Sequence, residues 1–217
     1  MNIGHRIAVI VLGACTGACA LLAPREDITV YAPALTQLIE SKTDRSFAPT
    51  VQLVVEQPHA IAPFDGTRIV VMPTPGEVQF YKSVRWRDSV PVMLQDLLLQ
   101  AFRQTADFAS ATPSIGTARS DFILYSNIEA FQAEYRNATA PTVVIRLTVQ
   151  LQRTEDAKIV GTRTFTVGRE SAGAATRAVF LAYQGSLEEL FSQVISWTQA
   201  SVAAVVATPA DVERERR

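Results

Sequence analysis

Two thiols stand four residues apart near the start of the chain, Cys15 and Cys19, and they are its only cysteines. A thiol can act as nucleophile, metal ligand or acyl acceptor, and its surroundings select among these. Everything beyond Cys19 lacks cysteine, so a disulfide framework and a thiol nucleophile in a folded domain are both excluded. His59 is the one histidine outside the first five residues. It lies in Gln57-Pro58-His59-Ala60, a turn-like context, without a second histidine to build a triad or a His-based metal site. Glu188-Glu189 on a helix and Glu155-Asp156 in a hairpin loop are adjacent carboxylates, and adjacent helix positions do not face each other, so neither pair reads as an acid/base couple. No Gly-x4-Gly-Lys-Ser/Thr phosphate loop occurs, so the chain does not hydrolyse ATP through a Walker motif. The inventory predicts a non-enzyme with no catalytic residue, no metal site and no cofactor.

The two thiols sit where an export signal would end. Arg6 and the amine supply a positive start, and Ile7 to Ala14 is an unbroken apolar run, too short to span a bilayer, which takes about 20 residues. Leu12-Gly13-Ala14-Cys15 and Thr16-Gly17-Ala18-Cys19 each place small residues before cysteine, as in a lipobox. Cys15 has the favoured leucine three residues upstream, whereas Cys19 leaves an apolar core of more ordinary length. The thiol would take a diacylglyceryl group and the freed amine a further acyl chain, and each buried CH₂ adds about 0.8 kcal/mol to membrane affinity. Neither cysteine is followed by Asp, which points to the outer membrane, periplasmic face. The expected organisation is a signal and lipobox over 1–18, cleaved before Cys15 or Cys19, a tether over 19–48, a domain over 49–207 and a charged tail over 208–217.

The charge balance, 20 Lys+Arg against 21 Asp+Glu, denies the basic excess of a nucleic-acid binder. At 48% hydrophobic residues the middle of the chain is rich enough to build a core without staples. Thr50 to Glu56, Thr67 to Met72 and Glu77 to Tyr81 read as short strands bounded by proline or glycine. Ser89 caps a helix in which Val90, Met93, Leu94, Leu97, Leu98, Ala101 and Phe102 form one buried stripe, ending near Thr105 to Phe108. Asp121 to Ile128 resumes strand character. In Thr142 to Gln152, Val143, Ile145, Leu147, Val149 and Leu151 alternate with polar residues, and a short turn leads into Ile159 to Val167. Ala175 to about Val206 is a second helix carrying Leu187, Leu190, Phe191, Val194, Trp197 and Ser201 on one stripe that Phe180 and Tyr183 continue upstream, with Gly185-Ser186 a candidate kink or cap. The prediction is an α+β two-layer sandwich: a mixed, largely antiparallel sheet with two main helices packed on it.

One segment concentrates aromatics and cations before the first helix: Phe80-Tyr81-Lys82-Ser83-Val84-Arg85-Trp86-Arg87. Tyr81, Arg85 and Trp86 are candidates either for contact with a partner or lipid headgroups, or for a structural brace with Trp86 packed beneath the helix start. The longer run Arg68-Ile69-Val70-Val71-Met72-Pro73-Thr74-Pro75-Gly76-Glu77-Val78-Gln79-Phe80-Tyr81-Lys82-Ser83-Val84-Arg85-Trp86-Arg87-Asp88, continued by Pro91, Met93 and Leu94, resembles the ABC-type transport auxiliary lipoprotein family, which contains the PqiC-like lipoproteins. Tyr31, Phe131, Arg163-Thr164-Phe165 and Trp197 fit the same pattern, while Thr74-Pro75-Gly76 and Arg87 depart from it. The resemblance implies an α/β sandwich and a periplasmic accessory role in MCE-type (Mla- or Pqi-like) systems. There an ABC permease and ATPase work with an MCE-domain protein as lipid conduit, and some members form homo-oligomeric rings. The rival expectation is a periplasmic lipid- or small-ligand-binding lipoprotein with a cavity between sheet and helices. The polar strand face, Arg146, Thr148, Gln150, Thr162, Thr164 and Thr166, suits a protein interface better than a lipid pocket.

Overall fold

A computed structural model of the chain describes residues 27–36, 50–105, 107–114, 120–136 and 139–214. Cys15, Cys19 and the rest of the expected signal lie outside the described residues, as do 20–26 and 37–48 of the expected tether and 215–217 of the expected tail. Eight strands and two helices follow in the order β1 (Thr29–Tyr31), β2 (Gln52–Val55), β3 (Arg68–Met72), β4 (Gln79–Trp86), α1 (Val90–Thr105), β5 (Ser110–Pro113), β6 (Phe122–Glu134), β7 (Thr142–Arg153), β8 (Ile159–Glu170) and α2 (Thr176–Arg214). The architecture is the mixed α+β sheet with two helices that the sequence predicts.

The long strand β6 organises the sheet. One of its edges pairs antiparallel with β7 from Phe122 to Glu134, and β7 pairs antiparallel with β8. The other edge is shared. β2 lies parallel along Phe122–Leu124, His59 bridges to Asn127, and β3 lies parallel along Gln132–Glu134. His59 is thus strand-like at its backbone, its N–H donating to Ser126 O and its carbonyl accepting from Ile128 N, both at 2.8 Å. The turn expected around it begins only beyond. β5 extends the sheet from β2, and β4 and β1 extend it from β3.

Burial explains the alternation. In β7, Val143, Ile145, Leu147, Val149 and Leu151 are all buried, while Arg146 and Gln150 are exposed. In β6, Phe122, Leu124 and Ile128 are buried on the same side until a bulge at Glu129 shifts the register, after which Phe131 and Ala133 take over that side. The extra residue reverses which parity points inward. Sequence alternation therefore ends at Ile128, where the strand itself continues to Glu134.

The helices close the core on the inward side. Every residue expected on the α1 stripe is buried. In α2, Val179, Tyr183, Leu187, Leu190, Phe191 and Val194 are buried, so a helix long and apolar enough to cross a membrane by composition is here the lid of a core. The helix runs unbroken through Gly185-Ser186. The hydrogen that Gly185 carries in place of a side chain leaves room for the Arg169 guanidinium, 3.0 Å from where a Cβ would stand, and Arg169 reaches Glu189 at 3.1 Å. Gly161 likewise leaves space for Trp197, whose ring edge would lie 3.0 Å from an added Cβ. Trp197 in turn meets Phe165 edge-on at 5.9 Å.

Three further differences come from pairing between distant segments. β1 falls inside the expected tether, yet it pairs parallel with β4. β5 has no alternation to announce it, being four residues including proline. The helix backbone of α2 runs through Pro209 to Arg214, where the sequence suggests a break. Gly161→Val should force Trp197 off its place on β8 and lower stability by about 1–3 kcal/mol, measured by denaturant unfolding, whereas Gly185→Ala, which meets only the mobile end of Arg169, should cost less than half as much.

Candidate functional site

The aromatic and cationic segment singled out from sequence is β4 itself, and its backbone is irregular. Arg68 pairs with Arg85 and Val70 with Phe80, so extra residues are absorbed between those two points of the β3–β4 ladder. Ser83 sits there at φ 55°, a left-handed conformation that few residues other than glycine adopt. The bulge delivers Tyr81, Val84 and Trp86 to the inner side and leaves Arg85 outside.

Trp86 is 1% exposed and meets Phe131 edge-on at 5.6 Å and Tyr183 edge-on at 5.0 Å. It therefore packs against Phe131 near the end of β6 and Tyr183 near the start of α2. Its ring N–H, the Tyr183 hydroxyl and the Ser186 hydroxyl are buried without hydrogen-bond partners among the described residues. Burial pushes the Tyr183 phenol well above its ordinary range, with the nearby Tyr81 adding to the rise. Burial, then the neighbouring Tyr135 hydroxyl, does the same to Tyr81, so both rings stay neutral. The cavity that Tyr81 and Tyr183 line with Ile69, Val84, Thr176, Val179 and Phe180 measures about 10 Å³, space for one water at most.

β1 is held against this cluster. Tyr31 stacks on Phe180 with centroids 4.6 Å apart, and its hydroxyl donates to Thr176 Oγ1 at 3.3 Å. The Arg87 N–H donates to Tyr31 O at 2.8 Å. Further along, the Thr36 backbone N–H donates to Glu188 Oε1 at 3.0 Å and its hydroxyl donates to the same oxygen at 2.5 Å. Residues 27–36, expected as free tether, are thus fastened across β4 and α2.

The outer face of the sheet is polar and laddered. Thr148 donates to Glu129 and shares a 2.7 Å bond with Thr164, while Arg146 Nε donates to Thr166 Oγ1 at 3.2 Å. At the far side of that face, Arg68 lies 3.5 Å over the Phe80 ring. Neither Arg68 nor Arg85 forms an ion pair among the described residues; Arg87 does, with Asp96 at 3.5 Å. Glu134, beside Met72 at the other end of β3, is engaged by its own neighbours: burial would raise its pKa, but bonds from Gln132 and Arg136 hold it below its ordinary value. Of the sequence candidates, then, Tyr81 and Trp86 meet in the core and Arg85 stands apart on the surface. Sequence reasoning missed Tyr183 and Arg68 as their neighbours. The register that brings residue 68 opposite 85 and residue 183 beneath 86 leaves no local periodic signal.

The family model described as ABC-type transport auxiliary lipoprotein component matches residues 34–195. The crystal structure of protein XCC0632 from Xanthomonas campestris is similar with a TM-score of 0.74 and 29% identity, covering 83% of this chain and all of that one. An uncharacterised protein of known structure is similar at a TM-score of 0.52 and 14% identity, over 83% of this chain and 99% of its own. The PelC dodecamer from Paraburkholderia phytofirmans reaches a TM-score of 0.45 at 13% identity, over 69% of this chain and 86% of its own. No curated protein matches the chain. Tyr183→Phe should leave stability unchanged or raise it by up to about 1 kcal/mol, since it deletes an unpaired buried hydroxyl, while Trp86→Ala should cost about 3–5 kcal/mol; thermal unfolding of the two variants reads the contrast.

Proposed function

This chain belongs to the ABC-type transport auxiliary lipoprotein component family, and from that premise we propose that it is a lipid-anchored, non-catalytic accessory subunit of an MCE-type (Mla- or Pqi-like) intermembrane lipid transport system, docking the periplasmic conduit at the outer membrane. The observation that carries this reading is the family match over residues 34–195, which takes in nearly the whole sheet and about half of α2. ATP would be spent by the partner permease and ATPase, and the MCE-domain protein would carry the lipid. The chain's own part is to hold a surface in place, as a single copy or as a homo-oligomeric ring.

Two features of the structure support docking over the rival lipid-binding role. The interface between β4 and α2, where a lipid pocket would separate sheet from helix, is filled by Trp86, Phe131 and Tyr183 around a cavity of about 10 Å³. An acyl chain needs a cavity several hundred Å³ in volume, and two grooves of that size, about 610 and 620 Å³ beside the far end of α2, are open and edged by Asp121, Arg153, Glu155 and Lys158. The outer face meanwhile presents hydroxyls and guanidinium groups in the Thr148, Thr164, Arg146 and Thr166 ladder, a composition suited to a wet protein interface.

The anchor acts at short range under this reading. Counting from Cys19 to Asp27, the first described residue, eight residues separate acyl chains from folded domain, and from Cys15 twelve. At about 3.3 Å per residue these reach on the order of 26 and 40 Å, against the 90 Å of a tether running to residue 48. The domain would sit close to its membrane.

Two measurements test the proposal. Mass spectrometry of the membrane-extracted chain should show triacylation on Cys15 or Cys19, and the matching Cys→Ala variant should leave the membrane fraction. Affinity isolation of the acylated chain should recover the MCE-domain, permease and ATPase proteins. An unmodified N-terminal segment, or a monomer carrying stoichiometric phospholipid and no transport subunits, would overturn it.

A further inference from the structure

The outer surface of β1, β4 and β3 differs from the hydroxyl ladder beside it. Ile28 and Val30 are 54% and 47% exposed, and apolar β-branched side chains left open on an edge are an aggregation liability unless something covers them. Val30 is paired with Arg85, and Arg85 with Arg68, so the three share one face across three strands. Directly opposed like charges destabilise a sheet, and no carboxylate of the described residues pairs with either arginine. Two apolar residues flanked by two unneutralised cations form a pattern suited to the boundary between headgroups and acyl chains of an anionic bilayer.

The position of the patch selects that occupant. It lies where the chain enters the fold, and Ile28 is nine residues from Cys19, a reach of about 30 Å at full extension. We propose that the β1–β4–β3 face rests on the anionic membrane surface beside the lipid anchor, with Ile28 and Val30 entering the headgroup region and Arg68 and Arg85 on lipid phosphates. The polar ladder of β6, β7 and β8 continues the same sheet and is left for protein partners. This inference rests on acylation at Cys15 or Cys19 and adds to it a fixed orientation of the domain.

The test uses the acylated chain in vesicles of phosphatidylethanolamine and phosphatidylglycerol containing a brominated quencher lipid. A fluorescent residue replaces Ile28 in one sample and Thr162, on the same face in β8, in another. Quenching is expected to be several-fold stronger at position 28. It should fall by more than fivefold for each arginine reversed in Arg68→Glu and Arg85→Glu, since loss of one cation at an anionic surface is by itself worth about fivefold. It should also fall in phosphatidylcholine vesicles and at about 1 M salt, where the Debye length is about 3 Å. Arg85→Glu alone keeps the test valid if reversal of Arg68, which also packs on Phe80, lowers stability. Equal quenching at both positions, or quenching indifferent to charge reversal, overturns the proposal, as does an unquenched position 28 that cross-links to a second copy. Mass spectrometry of the same sample separates the two readings: acyl chains present with no preferential quenching sinks the orientation alone, and acyl chains absent sinks both.

Discussion

Every other element of this fold depends on satisfying the backbone of one thirteen-residue strand. Unpaired N–H and C=O groups in a buried strand cost as much as lost hydrogen bonds, and β6 presents two full edges of them. β7 covers one edge from end to end apart from the bulge at Glu129. The other is covered piecewise by β2, His59 and β3, in that chain order and in one direction. That shared edge fixes where the Pro58 to Thr67 excursion must leave and rejoin. It also hangs β5 from β2 at one end, and β4 with β1 from β3 at the other.

The bulge at Glu129 and the irregular pairing in β4 are answers to the same problem. A strand of this length twists, and strict alternation would carry later residues off the core. The slip at Glu129 returns Phe131 to the inner side, where it meets Trp86 and Tyr183. The left-handed Ser83 does the same for Trp86 from the other strand. Two local departures from regular geometry thus turn Phe131 and Trp86 toward Tyr183 of α2. The cost is visible in the unpaired Trp86 N–H and the Tyr183 and Ser186 hydroxyls, buried where rings fill the space that partners would occupy.

Function in such a chain is a matter of surfaces and distances. The family supplies auxiliary lipoproteins of ABC-type transport, and an auxiliary subunit contributes by placing binding faces. Fastening residues 27–36 across β4 and α2, through Tyr31 on Phe180 and Thr36 on Glu188, brings the folded part near whatever holds the N-terminal segment. One sheet then carries both a cationic, partly apolar sector beside the entry point and a hydroxyl-rich sector farther across.

The amino-acid sequence by itself determined the elements whose one face is evenly covered: the alternation of Thr142 to Gln152, the stripe from Val90 to Phe102, and the Leu187-to-Val194 side of α2. Period-2 and period-3.6 patterns appear in a sequence when burial is uniform along an element. The small residues before Cys15 and Cys19, and the polar outer face from Arg146 to Thr166, were legible on equally local grounds. Only the tertiary structure decided that Thr29–Tyr31 is a strand, that β6 outlasts its alternation, that α2 passes Gly185-Ser186 unbroken, and that Arg85 stands opposite Arg68 while Trp86 turns inward to Tyr183. Each of those depends on hydrogen bonds or ring contacts between residues far apart in the chain, and a pairing register set by a bulge leaves no periodic trace in the residues it joins.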